Sequence, residues 1–571
     1  MLVGAISALT ACGKHDCAVD GHIDEDGDKK CDVCKTKIKH KHVDENNDGV
    51  CDTCNASLES VVDYPWDETP LVFQMSHHSS GQQLPSGCQK YLAGESTEEG
   101  TLYDMISERN TDAYYYTEVT VEYRYYDDNV ADYAWGKSVS EIYDTIFTNA
   151  PGSPDMYCNF QYDLIGVYLR GVFANLKSTN YGDNYFEFMD EDYDELENNR
   201  GYMYEYMEST TLNKDKMYIL ASDYFLDLIR AFFVVPVNIA LMNQYGPDVT
   251  GDYDGNGKFS IDDFYAQVKD KGWTYDLMIE YGDAVYKDLG GAEDKDIHDQ
   301  LGFAIGTTGL SSTAMVYTTE IDIIKETRNP DTGIREFEYP DTEDEGIQDL
   351  FALADALSVL FSSRGILYGA DTTAGYGTSA DLAIRKRFCD GFILFGGTIC
   401  IGALEYEMYQ TLKNNPDSGF GVVPVPLWHE IEEGSDENYL TTIHNLGRPG
   451  AIAWNTTNFS QCSAFLNYQS THSTDILNFY YDYQLQYNIA DGTKGTVEML
   501  QYIRYNVRSA FDKTFEDALG LYDADSGKRW HVKISKGGYQ NQDMRNEYDN
   551  LIGEKKKLLN NLYKEFDNFP E

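Results

Sequence analysis

The stretch Met217–Gly246, MYILASDYFLDLIRAFFVVPVNIALMNQYG, constrains the fold more than any other part of the chain. It opens on a strand-like run, Met217–Leu220, and turns at Ala221-Ser222-Asp223. The apolar run Ala231–Val237 follows, rich in Phe and Val, and an amphipathic segment then stops at Gly246-Pro247. Short apolar runs with β-branched and aromatic enrichment read as strands buried on both faces. Gly-Pro is a strong stop. The stretch predicts a buried crossover with one exposed polar turn, and a crossover needs two bodies of structure to join. The length of 571 residues agrees, because one simple core does not organise a chain of that size.

The chain carries 96 acidic and 44 basic residues, a formal charge of −52. That balance excludes nucleic acid and anionic lipid as partners of the body and suits solubility outside a cell. No window reaches the roughly 18 uninterrupted apolar residues of a spanning helix. The best run, Leu228–Met242, is short and carries Arg230, Pro236 and Asn238. The first twelve residues, MLVGAISALTAC, are apolar, rich in small side chains and lack a basic start. They resemble the end of a bacterial lipoprotein signal peptide, which implies that Cys12 bears the lipid and anchors the chain to the membrane.

Residues 13–57 hold an internal repeat. His22-x-Asp24-x-Asp26-x-Asp28-x-x-Cys31-Asp32-x-Cys34 returns twenty residues later as His42-x-Asp44-x-Asn46-x-Asp48-Gly49-x-Cys51-Asp52-x-Cys54. Apolar residues are too scarce there to make a core, so something must cross-link the unit. His22, Cys31, Cys34, His42, Cys51 and Cys54 offer Zn²⁺ ligands at C-x-x-C spacing. The alternating Asp and Asn offer oxygens to Ca²⁺, although position twelve lacks Glu in both copies. Disulfides between the Cys pairs are the third reading. In each case the segment is a stalk between anchor and body.

In the body, Pro70–Met75, Val119–Tyr125 and Asp155–Phe160 read as strands, with helices over Thr101–Arg109 and around Val139–Ile146 between them. Strands alternating with helices predict a largely parallel sheet, with ligands at the carboxyl ends of strands. Lys325–Gly346 reads as a loop or hairpin, Gly365–Ala380 as a loop, and Thr274 as a helix N-cap. DYDGNGKFSIDD, Asp252–Asp263, matches an EF-hand-type Ca²⁺ loop: Asp252, Asp254 and Asn256 at positions one, three and five, Gly257 at six, the Lys258 carbonyl at seven and Asp263 at twelve. Its expected role is to staple an insertion.

Enzyme constellations are missing from the sequence: there is no G-x-S-x-G, H-E-x-x-H or P-loop. Several ordered stretches instead resemble the extracellular solute-binding lipoproteins of ABC importers, family 1, the sugar type of Gram-positive bacteria. They are Asn238-Ile239-Ala240-Leu241 with Tyr245-Gly246, Trp273-Thr274-Tyr275-Asp276, Gly302-Phe303, Phe388–Gly397, Gly421–Pro426 and Ala451–Asn458, where Trp454 stands in place of the family's usual Pro. The resemblance implies an α/β, two-lobed periplasmic-binding-protein-like type II fold behind the Cys/His/Asp-rich stalk. It implies lobe 1 over 58–235, lobe 2 over 236–385, a return to lobe 1 over 386–432, and lobe 2 with C-terminal helices over 433–571. It also implies a monomer on the outer face of the membrane that captures a sugar by lobe closure, hands it to permease subunits and does no chemistry. A surface glycan-binding protein, or a secreted glycoside hydrolase, is the alternative. Polar loop tips beside aromatic rings make the candidate ligand contacts His78, Ser79, Asp163, Asp223, Tyr224, Arg448 and Trp454.

Overall fold

The computed structural model describes residues 66–569, apart from 67–68, 77–83, 85, 97–99, 127–136, 190–200, 214, 292–293, 307–308, 330–333, 370–378, 415–418, 433, 490–493, 523–528, 540–543 and 568. Cys12, the repeats with His22, Cys31, Cys34, His42, Cys51 and Cys54, and the loop residues His78 and Ser79 lie outside the described residues.

The strands, in chain order, are β1 Leu71–Met75, β2 Val121–Tyr125, β3 Met156–Cys158, β4 Phe233–Asn238, β5 Leu301–Ile305, β6 Lys325–Arg328, β7 Arg335–Glu338, β8 Ile366–Tyr368, β9 Ile393–Phe395, β10 Ile399–Cys400, β11 Phe420–Val423, β12 Thr441–Thr442, β13 Gly450–Ile452 and β14 Val507–Arg508. They build a four-stranded sheet, β13-β3-β1-β2, a six-stranded sheet, β10-β4-β9-β5-β8 with β11 on β4, and two two-stranded sheets, β12-β14 and β6-β7. The fold is therefore α/β with two lobes, each around its own sheet. In the first sheet β1 pairs parallel to β2 and β3, and β13 returns antiparallel to β3. The second–first–third order is that of a doubly wound sheet, whose ligand crevice opens where the order reverses, outside the carboxyl ends of β1 and β3.

The strand runs are apolar because they are covered on both faces: β3, β4, β5 and β9 are buried at every position. β2, at the sheet edge, is only half-buried. Helix Tyr275–Val285 starts on Thr274, whose Oγ1 accepts from the Leu277 N–H at 3.3 Å. It lies on β5 with almost no side chain between. A Cβ on Gly302 would sit 2.4 Å from Gly282 Cα, and one on Gly365 would sit 1.9 Å from Gly282 O.

Several expectations are corrected. Segment 386–432 does not return to lobe 1: β9 pairs with β5, and β10 and β11 pair with β4, all in the second sheet. The return comes later, with β13, whose partner β3 is in the first sheet. Strand β4 belongs wholly to the second sheet, so the first crossing lies before Phe233. Met217–Leu220 is not a strand of either sheet; it pairs only through Leu220 with Gly450. Gly246-Pro247 does not stop the helix, which runs Ile239–Val249 with Pro247 inside its last turn. Gly246 is needed for another reason, since a Cβ there would meet the Phe259 ring at 2.0 Å. Gly365–Ala380 begins as strand β8 because Ile366–Tyr368 pairs with β5. Lys325–Gly346, by contrast, contains a hairpin, β6–β7, one of the two forms expected of it.

The glycine contact generates a prediction. Gly302→Ala forces backbone against backbone and should destabilise the chain by about 1–3 kcal/mol, as overpacked cores do. Urea unfolding followed by far-UV circular dichroism checks it; an unchanged midpoint would refute the close approach.

Candidate functional site

The two sheets meet at their carboxyl ends. β4 runs antiparallel to β9, and β9 runs parallel to β5, so the start of β4 lies at the carboxyl ends of β5 and β9. The chain reaches that point from the carboxyl end of the first sheet. Leu220 bridges Gly450, and Gly450 pairs with Cys158 at the end of β3. Two passages cross here, 227–233 into β4 and 443–450 into β13, and 400–405, which leaves β10 and stays with the second sheet, lies beside them; Phe232–Ile443 pairing and the Ile401 N–H to Phe232 O bond of 2.9 Å hold the three together.

Charged side chains fill the crossing. Asp227, 0% exposed, accepts from Arg230 NH1 at 2.5 Å and Arg448 NH1 at 2.8 Å. Its Oδ2 also accepts the Gly87 N–H at 2.8 Å. Glycine is required at 87 because a Cβ would lie 2.3 Å from Asp227 Oδ1. Arg230 continues to Glu405 in a bidentate pair, Nε–Oε1 3.0 Å and NH2–Oε2 2.7 Å, and Glu405 accepts from Tyr480 OH at 2.7 Å. Burial alone would lower the Arg230 pKa, but Glu405 and Asp227 hold it well above its ordinary value. The Arg230 guanidinium sits 4.9 Å from the Tyr91 ring centre and that of Arg448 sits 4.6 Å from Phe160. Two carboxylates and two guanidiniums cancel in charge, which is the condition for keeping them out of water.

Beside this network a cavity of about 20 Å³ opens between helix Gln161–Tyr168, Asn445 and residues 514–518. It has room for one water-sized group. Glu516 accepts from Asn445 Nδ2, Lys513 Nζ donates to Asn445 Oδ1 at 3.0 Å, and Tyr162 OH donates to Asp517 Oδ1 at 3.1 Å. His531 Nδ1 stands 3.7 Å from Glu516 Oε2. Burial pushes Glu516 up to about 7 and Asp512 up to about 7, and pushes Lys513 down to about 8. A larger hollow, about 830 Å³, lies between the β6–β7 hairpin, the start of helix Glu345–Ser362 and the Trp428-His429 segment. Its size suits a small ligand. Most of its carboxylates are engaged: Asp344 with Lys325, Glu326 with Arg335, Asp322 with Arg508, Glu437 with His429.

The sequence candidates are not brought together. Arg448 sits in the crossing, but it is fully buried in its ion pair. Tyr224 is fully buried, with Arg109 4.8 Å from its ring centre. Asp223 accepts from Thr474 Oγ1 at 2.8 Å, and burial lifts its pKa to about 6. The polar turn therefore packs on the helical segments after β13 and is not an exposed tip. Asp163 faces helix Lys137–Thr148, where Ser138 donates to it. Trp454, 41% exposed, lies at the opposite end of the first sheet, beyond the amino end of β3: it follows β13, whose end pairs with the start of β3. Gln161 and Tyr162 fall in the segment after β3 to which the strand-end rule points, whereas Asp227, Arg230, Glu405, Asn445 and Glu516 are the residues that sequence reasoning missed. Arg230 alone carried a signal, as a cation inside an apolar run.

The Ca²⁺-type loop keeps its shape. Carboxylate oxygens of Asp252, Asp254 and Asp263 lie within 4.8 Å of one another. Gly257 turns with φ +90° and donates to Asp252 Oδ2 at 2.8 Å, Asn256 donates to Asp254, and Lys258 is exposed.

No family model matches the chain, and no curated protein does. Solved structures do resemble it. The GacH receptor of Streptomyces glaucescens, solved unliganded and with acarbose, is 11% identical, covers 88% of this chain and 100% of its own, and has a TM-score of 0.44. A family 1 extracellular solute-binding protein from Bifidobacterium longum subsp. infantis is 13% identical over 86% of this chain and 100% of its own, with a TM-score of 0.43. A protein of Streptomyces coelicolor described as a probable secreted solute-binding lipoprotein is 11% identical over 86% of this chain and 100% of its own, with a TM-score of 0.46. Likenesses of this size carry no weight for ligand or partner, and the architecture stands on the strand order. Among the described residues no helix is long and apolar enough to cross a membrane.

The buried acids generate a pH prediction. Glu516 has a folded pKa of about 7 against an ordinary value of 4.5. The folded chain thus binds that proton more tightly, and the stability it confers is full below about 4.5 and lost as pH rises to about 7. Roughly 3 kcal/mol is at stake at about 1.4 kcal/mol per unit. Glu516→Gln should flatten the fall in unfolding free energy between about pH 5 and about pH 7; an unaltered pH profile would show that Glu516 is not the group responsible.

Proposed function

We propose that the chain is a receptor for a small polar solute, with a sugar or oligosaccharide as the favoured class, and that it passes the solute to the permease of an ABC importer without transforming it. The observation that carries this reading is the meeting of two α/β sheets at their carboxyl ends across two adjacent chain crossings, the geometry of a crevice between lobes. The ordered motifs from Asn238 to Asn458 point the same way. Intrinsic fluorescence has ample reporters, since the chain holds 6 Trp and 46 Tyr. Titration with a panel of mono- and oligosaccharides should give saturable binding with the sugar recovered unchanged. Cleavage of the sugar would favour a glycoside hydrolase, and saturable binding by a chain with no permease partner would favour a surface glycan-binding protein.

We also propose that the Asp252–Asp263 loop holds Ca²⁺ through Asp252, Asp254, Asn256, the Lys258 carbonyl and Asp263. Three converging carboxylates on a glycine turn are a hard-oxygen set. The ion would tie helix Ile239–Val249 to helix Ile261–Lys269. The stalk repeats, with Zn²⁺ at His22, Cys31, Cys34, His42, Cys51 and Cys54 or Ca²⁺ at the alternating Asp and Asn, and a lipid on Cys12, complete the reading as a tethered monomer on the outer face of the cell membrane of a Gram-positive bacterium. Added Ca²⁺ should raise the melting temperature of the parent chain and leave Asp252→Ala unmoved. A parent chain indifferent to Ca²⁺ and to chelator would dispose of the loop site.

A further inference from the structure

Five cysteines lie among the described residues, and all five are free thiols. Cys389, Cys400 and Cys462 occupy separate parts of the fold. Cys88 and Cys158 do not. Cys88 opens the short turn Cys88–Leu92 and Cys158 ends β3, and their Sγ atoms lie 3.8 Å apart although 70 residues separate them in the chain. Both side chains are buried, at 0% and 1% exposure. Their other partners are weak: Cys88 Sγ stands 3.9 Å from Asp227 Oδ2, and Cys158 Sγ donates to Arg448 O at 3.5 Å.

We propose that Cys88 and Cys158 are a cross-linking site, joined as a disulfide when the chain meets an oxidising thiol–disulfide partner. An S–S bond is about 2.05 Å, so the sulfurs must close by roughly 1.8 Å, a displacement that rotation about Cα–Cβ can supply. The step is an exchange with an external disulfide. One protein thiolate attacks it, forming a mixed disulfide and releasing one small thiol; the second protein thiolate attacks the mixed disulfide and releases the other. Two protein thiols and one external disulfide become one protein disulfide and two external thiols, so the two electrons pass to the external partner. A neutral disulfide adds no charge beside Asp227 and Arg448. Burial raises the Cys158 thiol well above its ordinary pKa, so exchange is slow in the closed fold and is faster while the chain folds or opens locally.

The link has a structural consequence. It closes a loop of 70 residues, which restrains the unfolded chain. It also pins the turn that begins beside Gly87, whose N–H binds Asp227, to the strand next to the Arg448 passage. Oxidation would therefore brace the crossing from the side of the first sheet.

The test uses the full chain and oxidised glutathione as the probe. After incubation, the protein is unfolded, alkylated and digested without reductant for mass spectrometry. The expected result is a peptide pair joining Cys88 to Cys158, two hydrogen masses lighter than the separate thiol peptides, with a melting temperature a few degrees higher that falls back on reduction. Cys158→Ala should lose both the joined peptide and the shift. Full alkylation of both cysteines after the same treatment would overturn the proposal, and so would finding each joined to some other cysteine. Should Cys158→Ala fail to fold, the peptide map of the parent chain decides alone.

Discussion

Asp227 holds the molecule together at the point where it would otherwise come apart into two. Its carboxylate takes Arg230 from its own passage, Arg448 from the passage into β13, and the Gly87 N–H from the segment after β1. Arg230 extends the chain of charges to Glu405, which leaves the second sheet after β10. The two crossings, 227–233 and 443–450, and the turn after β10 thus supply Asp227, Arg230, Arg448 and Glu405 to a single buried network. Such pairs add little net stability over well-packed apolar residues, but losing one member strands a charge in a dry site at roughly 3–5 kcal/mol. The network therefore acts through register: the passages can lie side by side only when all the partners are present. That fixes how the carboxyl ends of the two sheets face each other, and with it the crevice.

Further ties reach across from outside the crossing. The β6–β7 hairpin is inserted between strands of the second sheet, yet Arg335 at its tip donates to Glu208 O at 2.6 Å and Thr211 O at 2.8 Å, next to the first sheet. Phe337 stacks on Phe511 with ring centres 3.7 Å apart. The C-terminal segment does the same on a larger scale: helix Trp530–Tyr539 packs on Glu345–Ser362, while Phe515, Phe566 and Phe569 surround Tyr168. Opening the lobes means breaking these aromatic contacts and wetting the Glu516–Lys513–Asn445 group. The acids in that group bind protons more tightly when buried, so protonation favours the packed arrangement.

Local patterning made the fold class legible. β1, β2 and β3 stood out as short apolar or alternating runs, Thr274 as a cap and Asp252–Asp263 as a glycine-turned acidic loop, because each depends on neighbours a few residues away. Lobe membership was harder. Nothing in Ile393–Phe395 or Gly450–Ile452 says which sheet will take it, since a three-residue apolar run pairs equally well with either; the partner is set by distant contacts, Leu301 for Ile393 and Cys158 for Gly450. Pro247 misled for the opposite reason, as a strong local rule that the last turn of a packed helix can absorb at the cost of one hydrogen bond.

The site was the least legible part, and the cause is physical. Sugars need hydrogen-bonding groups within reach, which points to polar residues at exposed tips. The turn Ser222-Asp223-Tyr224 had the right composition, but the helices after β13 bury it: Ser470 donates to Ser222 and Thr474 to Asp223. Those helices lie about 250 residues downstream. Polarity in a sequence marks a residue that needs partners and is silent on whether they are solvent, solute or protein. Arg230 is the informative contrast. A cation in the middle of LDLIRAFFVV cannot be left unpaired in a buried run, so its presence demands a carboxylate in space. Charges embedded in apolar stretches are therefore better guides to the joints of a multi-lobed chain than polar turns are to its binding surface.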